Sequence, residues 1–261
     1  MDDNYQNYVN RVAGLTQAET YKSQFEYILE SPKFKRLPNG QVEAAAFPGY
    51  SVVTPPGKED SENASLYENL QQCQKQLLEL LDEGMMVPIP AETFHITLAD
   101  LIWENAFVDA AKQNPDFEQQ LRSRIGESFS GCQPALKYGP QIRWQVLGIM
   151  MRARSLAVCL LPRDESSYDQ ILQIRRGIYQ NSDLIALGIE QQYNLTAHIT
   201  LGYFTKSPEK LDGDRFAEGL EEINNQWLDT PQELWIHRLE LRKFDDMTHF
   251  YREPDWPVLE L

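Results

Sequence analysis

The chain has 261 residues, a hydrophobic fraction of 42% and a formal net charge of −15. That apolar share excludes a disordered chain, and no apolar run approaches the roughly 18–20 residues that span a bilayer. The acid excess argues against a broad grip on duplex DNA, which needs Lys and Arg to neutralise phosphate.

The charge is uneven. Residues 131–180 hold seven basic side chains (Lys137, Arg143, Arg152, Arg154, Arg163, Arg175, Arg176) against three acidic ones (Asp164, Glu165, Asp169). Such a surplus would attract a small anion or an RNA end, although a solvated basic surface gives the same count. Cys73, Cys132 and Cys159 are an odd number without metal-ligand spacing, so a reduced, cytoplasmic setting is expected. Met1-Asp2-Asp3-Asn4-Tyr5 is acidic and polar, unlike a secretory signal.

Residues 1–30 predict helix, with Tyr21, Phe25, Ile28 and Leu29 at helical spacing. Leu37-Pro38-Asn39-Gly40 is a turn signal. Val42 to Val53 reads as one strand with a kink at Pro48-Gly49. Residues 63–83 predict a helix, since Leu66, Leu70, Cys73, Leu77 and Leu81 recur at three- and four-residue steps. After the Pro88–Pro90 loop comes Thr93-Phe94-His95-Ile96-Thr97-Leu98. Residues 104–135 then read as polar helix.

Ile142–Met150 and Ser155–Leu161 predict two strands joined by a turn over Met151–Arg154. Asp164 or Ser166 is a candidate cap for a helix reaching Leu187. Next comes Thr196-Ala197-His198-Ile199-Thr200-Leu201. A helix near 213–227 precedes two last strands, around Trp235–Phe244 and Thr248–Arg252.

The two hexapeptides match at five of six positions and lie 103 residues apart. They hold two of the four histidines in the chain. Alternation in a strand puts Thr93, His95 and Thr97 on one face, and likewise Thr196, His198 and Thr200. Phe94, Ile96 and Leu98 point the other way, as do Ala197, Ile199 and Leu201. Two such strands side by side would build a polar site with two-fold pseudosymmetry.

The element order supports an internal duplication with a period too long for a solenoid, whose repeats run about 20–50 residues. Its expected fold class is α+β: two lobes whose antiparallel-rich sheets face a central cleft, with helices outside. The lobes are expected to form one bilobal unit over residues 1–261, behaving as a monomer.

Histidine changes charge near neutrality, so one imidazole can accept a proton while the other donates one. Thr97 and Thr200 can each donate a hydroxyl to an anionic oxygen. The four side chains suit a phosphodiester held between them, and this logic requires no metal or other cofactor. Arg143 and Gln145 alternate with Trp144 and Val146, so they are candidates for the cleft, or for an ordinary exposed face. Tyr203 could stack on a base or bind phosphate, or could belong to the core. His237 and His249 read as structural or surface residues, and His249–Arg252 as a candidate cleft mouth.

The pairs His95-x-Thr97 and His198-x-Thr200 resemble the 2H phosphoesterase superfamily, which has two His-x-Thr/Ser motifs and includes RNA ligase-like 2′,3′-cyclic phosphodiesterases. The apolar flanks, the continuation Leu201-Gly202-Tyr203 and the segment Arg143–Gly148 resemble it too. The likeness covers roughly residues 40–252 and is greatest to a bacterial branch. Residues 1–30 and 104–135 depart from a minimal member as an N-terminal extension and an insertion. The resemblance implies catalysis by His95, Thr97, His198 and Thr200, with Arg143 and Tyr203 as candidate substrate contacts. It implies hydrolysis of an RNA end or a small cyclic phosphoester, or 2′-5′ ligation.

Two rival classes stay open. One is a nucleotide- or RNA-binding module that has lost catalysis. The other is a metal-dependent hydrolase, against which stands the lack of His-Glu-x-x-His, of Cys-x-x-Cys and of any carboxylate nearer downstream of His95 than Asp100. A Gly-rich phosphate loop is also missing.

Overall fold

A computed structural model describes residues 2–136 and 139–261, except the side chains of 134 and 135. Lys137, counted above among the basic residues, lies outside the described part. The chain opens with helices α1 (Tyr5–Gly14) and α2 (Ala18–Phe25). Strands β1 (Phe34–Arg36) and β2 (Val42–Ala44) pair around the Asn39-Gly40 turn, where Gly40 has a φ of 86°. Strand β3 (Gly49–Val53) is separate from β2, so the single kinked strand expected here is two strands. Phe47 leaves the β2 pairing to donate its N–H to the Asp245 carbonyl, and Pro48 has no N–H to give.

Helix α3 (Ala64–Leu80) buries Leu66, Leu70, Cys73 and Leu77, as its periodicity requires. Then come β4 (Met86–Pro88), β5 (Thr97–Trp103), α4 (Glu104–Gln113) and α5 (Phe117–Leu136). Strands β6 (Ile142–Arg152) and β7 (Ser155–Pro162) form a hairpin. Helix α6 (Glu165–Tyr179) is capped by Asp164, whose Oδ1 accepts the Ser167 N–H at 2.7 Å. The helix expected to reach Leu187 breaks after Tyr179, and Asn181 caps a short α7 (Ser182–Ala186). The chain ends with β8 (His198–Phe204), α8 (Gly213–Asp229), β9 (Glu233–Ile236), β10 (Arg238–Asp246), β11 (His249–Tyr251) and β12 (Val258–Glu260).

The fold is α+β with two five-stranded antiparallel sheets. One has the order β11-β10-β3-β5, with β12 also on β10; the other runs β4-β8-β7-β6-β9. Neither sheet is built from one half of the chain. Strand β4 comes from the first half and joins the second sheet, whereas β10–β12 return to the first. The crossing occurs at His237, between β9 and β10, where the stretch expected as one strand is two. There His237 Nε2 lies 3.1 Å from Asp60 Oδ1, a carboxylate that also accepts from Asn63 Nδ2 and the Tyr67 hydroxyl.

Helices α1, α2, α6 and α8 pack on the second sheet, and α4 and α5 on the first. Helix α5 also packs along α6, tying the two lobes together behind the cleft. Among the described residues, no helix is long and apolar enough to cross a membrane.

Candidate active site

The two motif strands are not neighbours in a sheet. Strand β5 is the edge of the first sheet and β8 lies inside the second, so each sheet brings its own motif to a shared cleft of about 790 Å³. Regular strand begins only at Thr97 in the first copy and at His198 in the second. The alternation still holds: Phe94, Ile96 and Leu98 are buried, as are Ala197, Ile199 and Leu201, while both His and all four Thr line the cleft.

The duplication extends to an irregularity. Val53 pairs with Thr97 and Val52 with Ala99, which leaves Leu98 as an extra, bulged residue. Ala157 pairs with Thr200 and Leu156 with Gly202, which leaves Leu201 in the same place. A bulge re-aims the side chains that follow it. Three residues past each threonine the cleft is lined by Asp100 in one copy and Tyr203 in the other. Gly202 follows the second bulge because β4 presses on it: a Cβ there would lie 2.6 Å from Met86 Sδ and 2.8 Å from the Val87 carbonyl oxygen.

Each imidazole is oriented by its own backbone. His95 Nδ1 is 2.7 Å from the Thr93 carbonyl oxygen, and His198 Nδ1 is 2.6 Å from that of Thr196. A carbonyl can only accept, so Nδ1 carries the hydrogen in both rings and Nε2 is the basic atom of the neutral form. Among the described residues, no protein group bonds either Nε2 or the hydroxyl of Thr97 or Thr200. The outer threonines are used differently: Thr93 Oγ1 donates to the Pro90 carbonyl at 2.7 Å, and Thr196 Oγ1 accepts from Arg11 at 2.7 Å.

The surroundings differ. The Phe250 ring packs on His95 at a centroid distance of 4.4 Å. Burial, with a smaller contribution from Arg242, lowers the His95 pKa to about 4 against the opposing Thr93 bond. Burial is again the main cause at His198. There the Arg152 guanidinium adds to it, with weaker help from His95 and Lys33, and the pKa falls to about 3. Both rings are therefore neutral at pH 7.

Tyr203 lines the cleft, its ring 5.5 Å from that of Phe34 and 5.3 Å from Lys33 Nζ. Arg143 does not reach it. Its guanidinium binds Gln141 Oε1 and lies 5.3 Å from the Trp235 ring, at the opposite end of β6 from Arg152. Alternation correctly put Arg143 and Trp144 on different faces, and the Arg143 face is the one that carries His198, but Arg143 lies too far along β6 to line the cleft. The cations that do line the cleft include Lys33, Arg152, Arg154 and Arg175. His249 is exposed and 3.0 Å from Asp245, while its neighbour Phe250 enters the cleft. No group of three His, Cys, Asp or Glu side chains placed to hold a metal occurs among the described residues.

No protein-family model matches the chain, and no curated protein matches it significantly. The structure aligns with that of a conserved protein of unknown function from Agrobacterium tumefaciens. The match covers 85% of this chain and 90% of that one, with a TM-score of 0.57 and 14% identity. Further alignments at a TM-score of 0.45 and 14% identity reach E. coli LigT complexed with 3′-AMP, over 82% of this chain and 98% of that one. A Thermus thermophilus protein matches at the same TM-score and identity, over 81% of this chain and 94% of that one. The likeness to the Agrobacterium structure is one of fold.

Sequence reasoning missed the groups that brace this frame. Three N-terminal side chains bind the three residues before His198. Asp2 Oδ1 accepts the Leu195 N–H at 2.7 Å, Arg11 donates to Thr196 Oγ1, and the Tyr8 hydroxyl accepts the Ala197 N–H at 3.2 Å. Asp2 is itself paired bidentately with Arg175, at 2.8 and 2.9 Å, and the side chains are only 6% and 5% exposed. Arg175 Nη1 also donates to the Leu98 carbonyl. One buried ion pair thus ties the backbone of the first motif to that of the second. Its only sequence signal was the acidic N-terminus. Glu104, just after β5, is the one non-glycine residue with positive φ among the described residues, at 49°. Such a conformation costs on the order of 1–2 kcal/mol.

Proposed function

We propose that this chain is a 2H phosphoesterase: a metal-independent phosphodiesterase acting on an RNA end, a 2′,3′-cyclic phosphate or a related small cyclic phosphoester. The observation that carries the reading is the matched presentation to one cleft of two Nε2 atoms and two threonine hydroxyls that have no protein partner among the described residues. A neutral imidazole takes a proton from water as it attacks phosphorus. The second, protonated imidazole gives a proton to the departing ribose oxygen. The hydroxyls donate to the non-bridging oxygens, where charge gathers in the transition state.

The unequal surroundings support a division of roles. Arg152 and Lys33 oppose a proton on His198, which acts as the base. His95, against the Phe250 ring, is the acid. A bound phosphodiester adds fixed negative charge and raises both pKa values, which lets one ring hold the proton that the reaction needs.

The test is a substrate panel read by product analysis: 2′,3′-cyclic nucleotides, 2′-5′-linked oligonucleotides and ADP-ribose 1″,2″-cyclic phosphate. Wild type should turn over at least one. A nucleoside nitrophenyl phosphodiester, whose leaving group needs no acid, should restore most of the rate to His95→Ala and little to His198→Ala. Binding without turnover across the panel would favour a module without catalysis.

A further inference from the structure

The cleft continues past the histidines along β5. Two bulges, at Leu98 and Leu101, step its lining residues from Thr97 to Asp100 to Trp103. At the far end the Trp103 ring stacks against Tyr193, with centroids 6.4 Å apart and an interplanar angle of 26°. Tyr193 is 66% exposed, so its ring buries little and contributes little to the core. Its backbone is nevertheless fixed, since its carbonyl accepts from Arg175 at 3.2 Å and from Gln191 at 3.1 Å. The flanking Gln192 and Asn194 line the same cleft with polar groups. A rigidly held pair of large, partly solvated rings offers a π-face to a base of any sequence.

Its position says which base. Thr97 pairs with Val53 and Trp103 with Gly49, four residues along β3, so the two positions lie on the order of 13 Å apart at the extended rise. A stacked nucleic-acid strand rises about 3.4 Å per nucleotide. The base of the nucleotide whose phosphate lies between the histidines therefore falls short of Trp103, and a base farther along the strand reaches it. Asp100 lies between the two ends, where a carboxylate repels phosphate and accepts a ribose hydroxyl.

We propose that Trp103 and Tyr193 form a stacking subsite for a base at least one nucleotide removed from the reacting phosphate, so that the substrate is a short single-stranded RNA end. The location of that phosphate rests on the phosphodiesterase reading.

The test uses the full-length His198→Ala chain, with the catalytic base removed. It is titrated with one-, two- and four-nucleotide RNAs ending in a 2′,3′-cyclic phosphate, and with the same RNAs ending in hydroxyl. Affinity should rise with length in both series. Adding Trp103→Ala or Tyr193→Ala should cost about 5- to 150-fold on the four-nucleotide ligands, and so flatten the length dependence. Trp103→Phe should keep most of it, and circular dichroism should show each variant folded. Affinity independent of length, or a length dependence that survives both alanine variants, would overturn the subsite. Wild-type turnover of the cyclic-phosphate RNAs is scored separately. Turnover without length dependence sinks the subsite alone, whereas ring-dependent length dependence without turnover supports the subsite and sinks the phosphodiesterase reading.

Discussion

The two halves of the cleft share a backbone design and differ in the neighbours of their imidazoles. Both motifs place an Nδ1–H on a carbonyl two residues upstream, and both bulge at the leucine after the second threonine. Beyond that the match ends. The first half sets an aromatic ring, Phe250, on its histidine; the second sets its histidine in the field of the Arg152 cation. Repetition thus supplies geometry, and two similar imidazoles at a phosphodiester need unlike fields to become an acid and a base. The unlike parts are what repetition does not supply: β11 near the C-terminus, and Arg152 at the end of β6.

The largest expected effect breaks the comparison outright. His95→Ala and His198→Ala should each cost ~10²–10⁴-fold in kcat, the usual worth of general acid or base catalysis. The double variant should be far from multiplicatively worse, because the pair acts as a unit. Steady-state kinetics on whichever substrate is cleaved would decide this, and near-wild-type turnover in either single variant would contradict it.

The next effect falls on the ion pair that ties the two motifs together. Asp2→Ala strands the Arg175 guanidinium, a buried charge that loses its partner, at a cost of about 3–5 kcal/mol. Thermal unfolding should report it. Asp2→Asn keeps the acceptor for Leu195 and should lose less. If the N-terminal braces do position His198, Asp2→Asn should lower kcat more than it changes KM.

Thr97→Val and Thr200→Val probe what the halves share. If each hydroxyl donates to a charged substrate oxygen, its removal should cost about 1.5–3 kcal/mol, or roughly 10- to 150-fold in rate. The pH dependence should keep its shape in both. Unequal losses would show that one non-bridging oxygen carries more of the transition-state charge.

The smallest effect sharpens the asymmetry. Arg152→Gln removes the cation that opposes a proton on His198, so the His198 pKa should rise towards that of His95. Two-dimensional NMR titration of the imidazoles would read this directly. The depressed values also act on stability. A neutral folded-state histidine contributes stability that is present above the unfolded value near 6.5 and is lost as pH falls towards about 4 and 3. His198→Ala should therefore soften the loss of stability with acid, as read by chemical denaturation at pH 7 and pH 5.

The parts of this site that were legible in the sequence were local ones. The paired hexapeptides, their buried undersides and helix α3 follow from periodicity within a few residues. The bulges at Leu98 and Leu201 do not, because an extra residue is defined only against a partner strand far away in sequence. The same holds for the exchange of strands at His237. Arg143 shows the limit most plainly: alternation tells which side chains share a face of β6, and not how far along that face the cleft reaches. Asp2, Tyr8 and Arg11 escaped because each bonds across more than 180 residues.

The most direct test of the paired acid–base account is the pH dependence of kcat/KM for the wild-type chain on a cleaved phosphodiester. A diester keeps its charge across this range, so the profile belongs to the free enzyme's histidines. With both held near 4 and 3, the form carrying a single shared proton thins out as pH rises. The account predicts that kcat/KM falls close to tenfold per unit between pH 5 and 8, while the kcat profile lies nearer neutrality because bound phosphate raises both values. A kcat/KM that is flat over that range would contradict it.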